Sequence, residues 1–201
     1  DFCFPQHGNV RLEDILPLLR VTGADLAALY AQADAVRRAH CGEAVPIRAI
    51  IEFSNQCTND CLYCGIRASN PVPRRYRMTP AEILAAVRQV AGAGVAGTVV
   101  LQSGEAPGAG DDQIAAILHD IKAVFPDLAI TLSVGNRSRA TYATWQAAGM
   151  DRYLLRFETS DPDLFARLHP ACTLAERLQC LHDLQDLGVQ TGGGFMIGLP
   201  G

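Results

Sequence analysis

From residue 47 onward, the sequence alternates between short apolar stretches and longer stretches with helical periodicity, and this alternation strongly limits the possible folds. Strands that are separated by helices pair in parallel through right-handed crossovers. The pattern therefore predicts an α/β fold. We expect strands at residues 47–53, 97–102, 128–134, 152–157 and 189–197, and helices at residues 80–93, 111–125, 138–148, 161–168 and 174–187.

A parallel sheet of this kind either closes into a barrel or stays open as a doubly wound sheet. The first strand is followed by a cysteine-rich loop and not by the glycine-rich G-x-G-x-x-G turn of nucleotide-binding sheets. Barrel enzymes assemble their active sites at the carboxyl ends of the strands. Polar residues and glycines lie at or just after several of the predicted strand ends, among them Ser103, Gly104, Glu105, Ser133, Glu158 and Gly198.

A complete TIM-type (βα)8 barrel takes about 250 residues. We therefore predict that residues 46–201 form about five of the eight βα units, and that the chain is part of a longer protein. Residues 1–45 are predicted to form an N-terminal helical extension, with helices at residues 12–19 and 25–40.

Three cysteines, Cys57, Cys61 and Cys64, follow the first predicted strand with the spacing C-x3-C-x2-C. Three thiolates on one tight loop can bind three irons of a [4Fe–4S] cluster, which leaves the fourth iron open for a small molecule. Structural zinc is the competing interpretation, and it requires four ligands, usually in two pairs. Cys172 and Cys180 are eight residues apart and do not form a second pair. The spacing favours the cluster over zinc or inert thiols.

The composition indicates the compartment and excludes some partners. The net charge of −4 and the absence of a basic stripe argue against nucleic acid. The longest weakly polar run, residues 90–101, is too short to span a bilayer, and the first residues lack the apolar core of a signal peptide. Seven cysteines, an odd number that includes a cluster-type triplet, fit a reducing cytoplasm.

Six segments, considered together, resemble a known group of enzymes. They are IEFSN (51–55), CLYCGIR (61–67), RYRMTP (75–80), VLQSGE (100–105), RYLLRFET (152–159) and MIGLPG (196–201). The sequence is similar to the radical S-adenosylmethionine (SAM) superfamily. Within that superfamily it resembles the HydE family, the maturases of the [FeFe]-hydrogenase active site; methylornithine synthase and biotin synthase share the architecture. The chain departs from the expected pattern at Ala106, at Phe157 and in the segment 135–138.

This resemblance implies a [4Fe–4S] cluster on the three cysteines, with SAM bound at the open iron and cleaved to a 5′-deoxyadenosyl radical. It also implies the residues that hold SAM. Glu105 would contact the amino group, Arg177 the carboxylate, and Tyr63 the adenine. The other expected contacts are Gln102, Ser103, Gly104, Ser133, Glu158, Ile197 and Gly198.

For the substrate, the resemblance implies Arg156 and Thr131. On a strand, Arg156 and Glu158 would face the same side, as would Thr131 and Ser133. An unpaired Arg buried in the barrel would require an anion, so we expect an anionic substrate. The family implies an iron–carbonyl–cyanide complex bearing cysteine, an electron donor such as ferredoxin or flavodoxin, and contact with other hydrogenase maturases.

Other interpretations stay open at this point. The enzyme could be a mutase or a sulfur-handling enzyme of the methylornithine synthase or biotin synthase type. The chain could instead be an electron-transfer or cluster-carrier module. Glu105, Glu158 and Arg177 separate these two classes, because a carrier has no need to bind SAM. Each of these side chains also has a simpler interpretation; Arg177, for instance, could be an exposed helical charge.

Overall fold

The computed structural model describes residues 11–94, 96–108 and 110–200. These residues fall into two compact units, and the chain passes from one to the other between Val45 and Pro46. The described part of the first unit contains helices α1 (Leu12–Leu18) and α2 (Gly23–Cys41), in which no residue is buried. Both helices lie where the sequence predicts them. Residues 1–10 of the predicted extension and residue 201 lie outside the described residues.

The second unit is an α/β structure. Its strands are β1 (Arg48–Ser54), β2 (Thr98–Ser103), β3 (Ala129–Ser133), β4 (Arg152–Leu154) and β5 (Gln190–Gly192). Its helices are α3 (Pro80–Gly92), α4 (Asp111–Val124), α5 (Arg139–Ala147), α6 (Pro162–Leu168) and α7 (Leu174–Asp186).

All five described strands pair in parallel, in the sequential order β1-β2-β3-β4-β5. A doubly wound sheet reverses its strand order at a switch point, whereas a barrel keeps the order of the sequence. The described strands therefore form part of a barrel, and the predicted fold class is confirmed.

The last two strands are shorter than predicted: β4 ends at Leu154 and not at residue 157, and β5 ends at Gly192 and not at residue 197. Beyond these ends the pairing continues irregularly: the Leu155 N–H donates to the Gly192 carbonyl at 2.9 Å, and the N–H groups of Phe157 and Glu158 both donate to the Gly194 carbonyl, at 3.0 and 3.1 Å. Glu158 then adopts a left-handed backbone conformation with φ of 60°. Arg156 and Glu158 therefore lie beyond the end of β4 and not on it as predicted, although both line the cavity described below.

Local hydrogen bonds explain where two of the helices begin. The Thr79 hydroxyl accepts from the Glu82 N–H at 3.3 Å, and the Glu82 carboxylate accepts from the Thr79 N–H at 2.7 Å. The sequence Thr79-Pro80-Ala81-Glu82 is typical of a capping box, and these two hydrogen bonds form it before α3. Thr173 and Glu176 form the same arrangement before α7, the helix that carries Arg177.

The hydrophobic core lies between one face of the sheet and the helices. Alternate strand residues, such as Val99, Leu101, Ile130, Leu132 and Tyr153, pack in it with residues from α3, α4, α5 and α7. The other strand residues, which include Gln102, Thr131 and Ser133, therefore face the opposite side of the sheet. Within the described residues, no helix has the length and apolar character needed to cross a membrane.

A buried arginine links the loops after β2 and β3. Arg137 donates to the backbone carbonyls of Val134 (2.9 Å), Asn136 (2.8 Å) and Ala106 (3.2 Å), and its Nε lies 2.9 Å from the Asp111 carboxylate. Only 4% of the Arg137 side chain is exposed. Since these loops form one wall of the cavity described below, the arginine fixes the shape of that wall.

We expect Arg137→Ala to lower the free energy of unfolding by about 3 kcal/mol, because it leaves a partly buried carboxylate and three carbonyls without their donor. Urea denaturation measures this change. Arg139→Ala is the matched control, since the Arg139 side chain is half exposed and its ion pairs with Asp183 and Asp186 lie at the surface. Its removal should cost less than about 1 kcal/mol. Equal losses for the two variants would contradict the structural role of Arg137.

Candidate functional site

The three cysteines predicted to bind the cluster lie in the loop after β1 and line one cavity of about 500 Å³ at the carboxyl end of the sheet. Cys61 is buried, and Cys57 and Cys64 are partly buried. The loop is compact: the Cys64 N–H donates to the Cys61 carbonyl at 3.0 Å, and the Ala68 N–H donates to the Asn59 carbonyl at 2.8 Å. The three cysteines, which are close in the sequence, thus also lie on the surface of the same cavity.

One guanidinium group holds both ends of this loop. Arg75 donates to the carbonyls of Asn55 and Ile66, both at 2.7 Å, and to those of Arg67 and Asn70, at 2.6 and 3.1 Å. Asn55 precedes the cysteines and the other three carbonyls follow them. The backbone on both sides of the cysteines is therefore fixed by protein contacts alone.

The loop after β2 packs directly against the cysteine loop. A β-carbon on Gly104 would overlap the Gln56 carbonyl oxygen and the Cys57 side chain. The Thr58 N–H and hydroxyl both donate to the Glu105 carbonyl, at 2.8 and 3.0 Å. This close approach places the Glu105 carboxylate at the edge of the same cavity.

Arg177 and Glu105 form an ion pair inside the cavity. Arg177 Nη2 lies 3.3 Å from Glu105 Oε2 and 2.7 Å from His169 Nε2, and all three side chains line the cavity. Arg177 is buried, so its interpretation as an exposed helical charge is wrong. Burial alone would lower the pKa of Arg177, but the charges of Glu105 and Cys172 outweigh it and raise that pKa. Within the described chain, Arg177 Nε is buried and has no hydrogen-bond partner.

Glu158 also lines the cavity, and its carboxylate is buried. Its Oε2 is buried and has no hydrogen-bond partner within the described residues. Burial raises the pKa of Glu158, and the positive charges of Arg156 and Arg177 oppose that shift. Arg156 lines the same cavity but is exposed, so the argument that a buried arginine demands an anionic substrate does not apply.

The structure brings most of the predicted site residues to this cavity. Its lining includes the three cysteines together with Tyr63, Gln102, Ser103, Gly104, Glu105, Ser133, Arg156, Glu158 and Arg177. Their roles remain predictions.

Three predicted site residues are not among the described residues that line this cavity. Thr131 lies two positions before Ser133 on the same face of β3, in register with Val100 and Arg152. Ile197 is 92% exposed. Gly198 lines a separate cavity that shares Glu158 with the first.

Sequence reasoning missed several residues that shape the site, namely Arg75, Arg137, His169 and Asn136. Arg75 lies in one of the segments that carry the family resemblance, which was the only available signal. His169 lies outside all of those segments. Asn136 Oδ1 is buried without a hydrogen-bond partner among the described residues.

The geometry does not favour zinc. Among the described residues, no three His, Cys, Asp or Glu side chains come together closely enough to hold one metal ion. A [4Fe–4S] cluster binds each thiolate at a different iron, so its ligands need not converge on one point. Burial raises the pKa of the Cys61 thiol to about 11, and the sulfurs of Cys57 and Cys64 act in the same direction. The thiolate form of Cys61 is therefore disfavoured unless a positive charge, such as that of a cluster iron, stabilises it.

The sequence model of the Radical SAM superfamily matches residues 51–201, and the chain belongs to this superfamily. Members of this family use a [4Fe–4S] cluster and S-adenosylmethionine. The [FeFe] hydrogenase maturase subunit HydE of Thermotoga maritima is 49% identical over 174 residues, which are 87% of this chain and 49% of that protein. Biotin synthase of Desulforudis audaxviator is 28% identical and is matched over 95% of this chain and 59% of its own length.

Solved structures agree with the fold. Methylornithine synthase (PylB) superposes with a TM-score of 0.84 at 26% identity, covering 92% of this chain and 55% of that chain. HydG, a maturase of the [FeFe]-hydrogenase, superposes with a TM-score of 0.83 at 23% identity, covering 94% of this chain and 43% of that chain. The chain spans about half the length of the curated relatives it matches.

We expect Gly104→Ala to reduce the iron and sulfide content of protein reconstituted under anaerobic conditions. The added β-carbon overlaps the cysteine loop, and relieving that overlap costs about 1–3 kcal/mol and displaces Cys57. Gly97→Ala is the control, because a β-carbon at Gly97, before the start of β2, meets nothing within 4 Å. Parental iron content in the Gly104 variant would show that this close approach does not matter for the cluster.

Proposed function

We propose that this protein is a radical SAM enzyme in which Cys57, Cys61 and Cys64 bind a [4Fe–4S] cluster and the adjoining charged residues bind SAM. One observation carries the proposal. The cysteines share their cavity with a buried carboxylate, Glu158, and a buried guanidinium, Arg177, each of which has a polar atom without a hydrogen-bond partner in the described chain. Burying such groups is costly unless a ligand pairs with them.

The amino-acid part of SAM fits these groups. Its ammonium suits Glu105 and Glu158, and its carboxylate suits the planar fork of Arg177, through charge-assisted hydrogen bonds. Tyr63 and Ser133 would form the remaining walls and exclude water. When bound, the cluster and SAM supply a one-electron cleavage of a C–S bond that yields methionine and a 5′-deoxyadenosyl radical.

We further propose that the enzyme acts in assembly of the [FeFe]-hydrogenase diiron site. The 49% identity to HydE of Thermotoga maritima supports this assignment. The substrate would then be a small iron–carbonyl–cyanide complex bearing cysteine, approached by Arg156 from the cavity wall and by Thr131 from deeper in the barrel. Ferredoxin or flavodoxin would donate the electron, other hydrogenase maturases would be its partners, and the cytoplasm would be its compartment.

A mutase or sulfur-handling enzyme is the second candidate, and the likeness to methylornithine synthase and biotin synthase supports it. It would use the same cluster and SAM site, and only the substrate would differ. An electron-transfer or carrier module fits less well, because it has no use for buried, unpaired polar atoms beside the cluster.

The cluster is tested by replacing its ligands one at a time. We expect Cys57→Ala, Cys61→Ala and Cys64→Ala each to abolish the SAM-dependent change in the EPR spectrum of the reduced protein, because each removes one thiolate from the three required. Cys41→Ala serves as the control, since Cys41 is exposed at the end of α2. Stoichiometric zinc uptake without iron under reducing conditions would overturn the proposal.

SAM binding is tested at Arg177. We expect Arg177→Ala to weaken SAM binding by roughly 1.5–3 kcal/mol, the scale of a hydrogen bond to a charged group, with the iron content unchanged. Isothermal titration of the reconstituted protein measures this affinity. The control variant is Arg167→Ala, which removes an exposed arginine from α6. If Arg177→Ala binds SAM as tightly as the parent, Arg177 is not part of the site.

A further inference from the structure

We infer that His169 is a positioning residue for SAM binding: its neutral imidazole accepts a hydrogen bond from Arg177 and holds the guanidinium so that its free N–H faces the SAM carboxylate. This inference rests on the proposed function, because it assumes that SAM occupies the cavity. It assigns a role to a histidine that lies outside every motif in the sequence.

The hydrogen bond fixes the tautomer of His169. An arginine side chain has only donors and keeps its proton in proteins. Since Arg177 Nη2 lies 2.7 Å from His169 Nε2, that ring nitrogen must be the acceptor. The ring proton is therefore on Nδ1, which lies 3.5 Å from Cys172 Sγ and can donate to it. A protonated imidazole would place two donors face to face, and burial together with the charge of Arg177 lowers the pKa of His169.

The imidazole is itself held in place. His169 is only 4% exposed and directly follows α6. Its ring stacks on Phe165 with a centroid distance of 5.1 Å and an interplanar angle of 18°. The preceding residue, Leu168, accepts at its carbonyl from the Leu62 N–H of the cysteine loop, at 2.9 Å. The acceptor for Arg177 is therefore fixed relative to the cysteines.

A neutral acceptor suits this position for an electrostatic reason. Glu105 already offers one carboxylate to Arg177 Nη2. A second carboxylate there would leave net negative charge that repels the SAM carboxylate, whereas a neutral nitrogen directs the guanidinium without adding charge. Nη2 of Arg177 is shared between Glu105 and His169. The N–H group of the buried Nε therefore stays available to a ligand.

Two variants distinguish the role of the hydrogen-bond acceptor of His169 from the role of its aromatic ring. His169→Phe keeps an aromatic ring against Phe165 but has no acceptor. His169→Gln loses the ring but can place its amide oxygen where Nε2 lies. We expect His169→Phe to weaken SAM binding at least about tenfold, the effect of losing one hydrogen bond to a charged group, and His169→Gln to stay within about threefold of the parent. Isothermal titration of anaerobically reconstituted protein gives the affinities, with iron content and thermal unfolding recorded for each variant.

The opposite ranking, with His169→Gln weak and His169→Phe parental, would mean that the ring only packs, and would overturn the positioning role while the proposed function stands. A parent protein that holds its cluster but does not bind SAM would overturn both. ¹⁵N NMR of the histidine rings in the cluster-free protein gives a further readout, with the signals of His169 identified by their loss in His169→Gln. We expect the Nδ1–H tautomer, and an Nε2–H tautomer would overturn the inference whatever the SAM affinity.

Discussion

The loop after β2 passes so close to the cysteine loop that residue 104 has no room for a β-carbon. Much of the site depends on this contact. It allows Thr58 to bind the Glu105 backbone, which places the Glu105 carboxylate in the cavity. Glu105 in turn compensates the charge of Arg177, which burial alone would disfavour. A single glycine thus connects the position of the cysteines to the electrostatics of the residues proposed to bind SAM.

The sequence was informative where structure is set locally. Strand and helix periodicity and the Thr79–Glu82 capping box depend on neighbouring residues, and the structure confirms these elements. It also places the three closely spaced cysteines on one cavity. The ends of β4 and β5 were predicted too far along the chain. Past the observed ends the pairing is irregular, since one carbonyl, at Gly194, accepts two N–H groups and Glu158 has a positive φ. No periodicity in the sequence encodes such a change.

Contacts between distant segments were the other feature that the sequence could not predict. Arg75 and Arg137 bind backbone carbonyls. Because every residue carries such a carbonyl, no pattern of residues in the sequence predicts their partners. Ala106 and the segment 135–138, where the sequence departs from the expected family pattern, meet at the guanidinium of Arg137, which binds a carbonyl on each side. Ala106 takes part through its backbone, so this contact does not depend on its side chain.

Arg75 holds both ends of the cysteine loop by hydrogen bonds, and this affects the order of folding and cluster insertion. Small zinc domains order their ligand loops only when the metal arrives, so their folding and metal binding are a single event. Here the backbone on either side of the cysteines is held by four hydrogen bonds that involve no metal. The conformational entropy of the loop is therefore lost during folding and not during metal uptake. The polypeptide can reach its final shape first and receive its iron and sulfide afterwards, as a rigid acceptor.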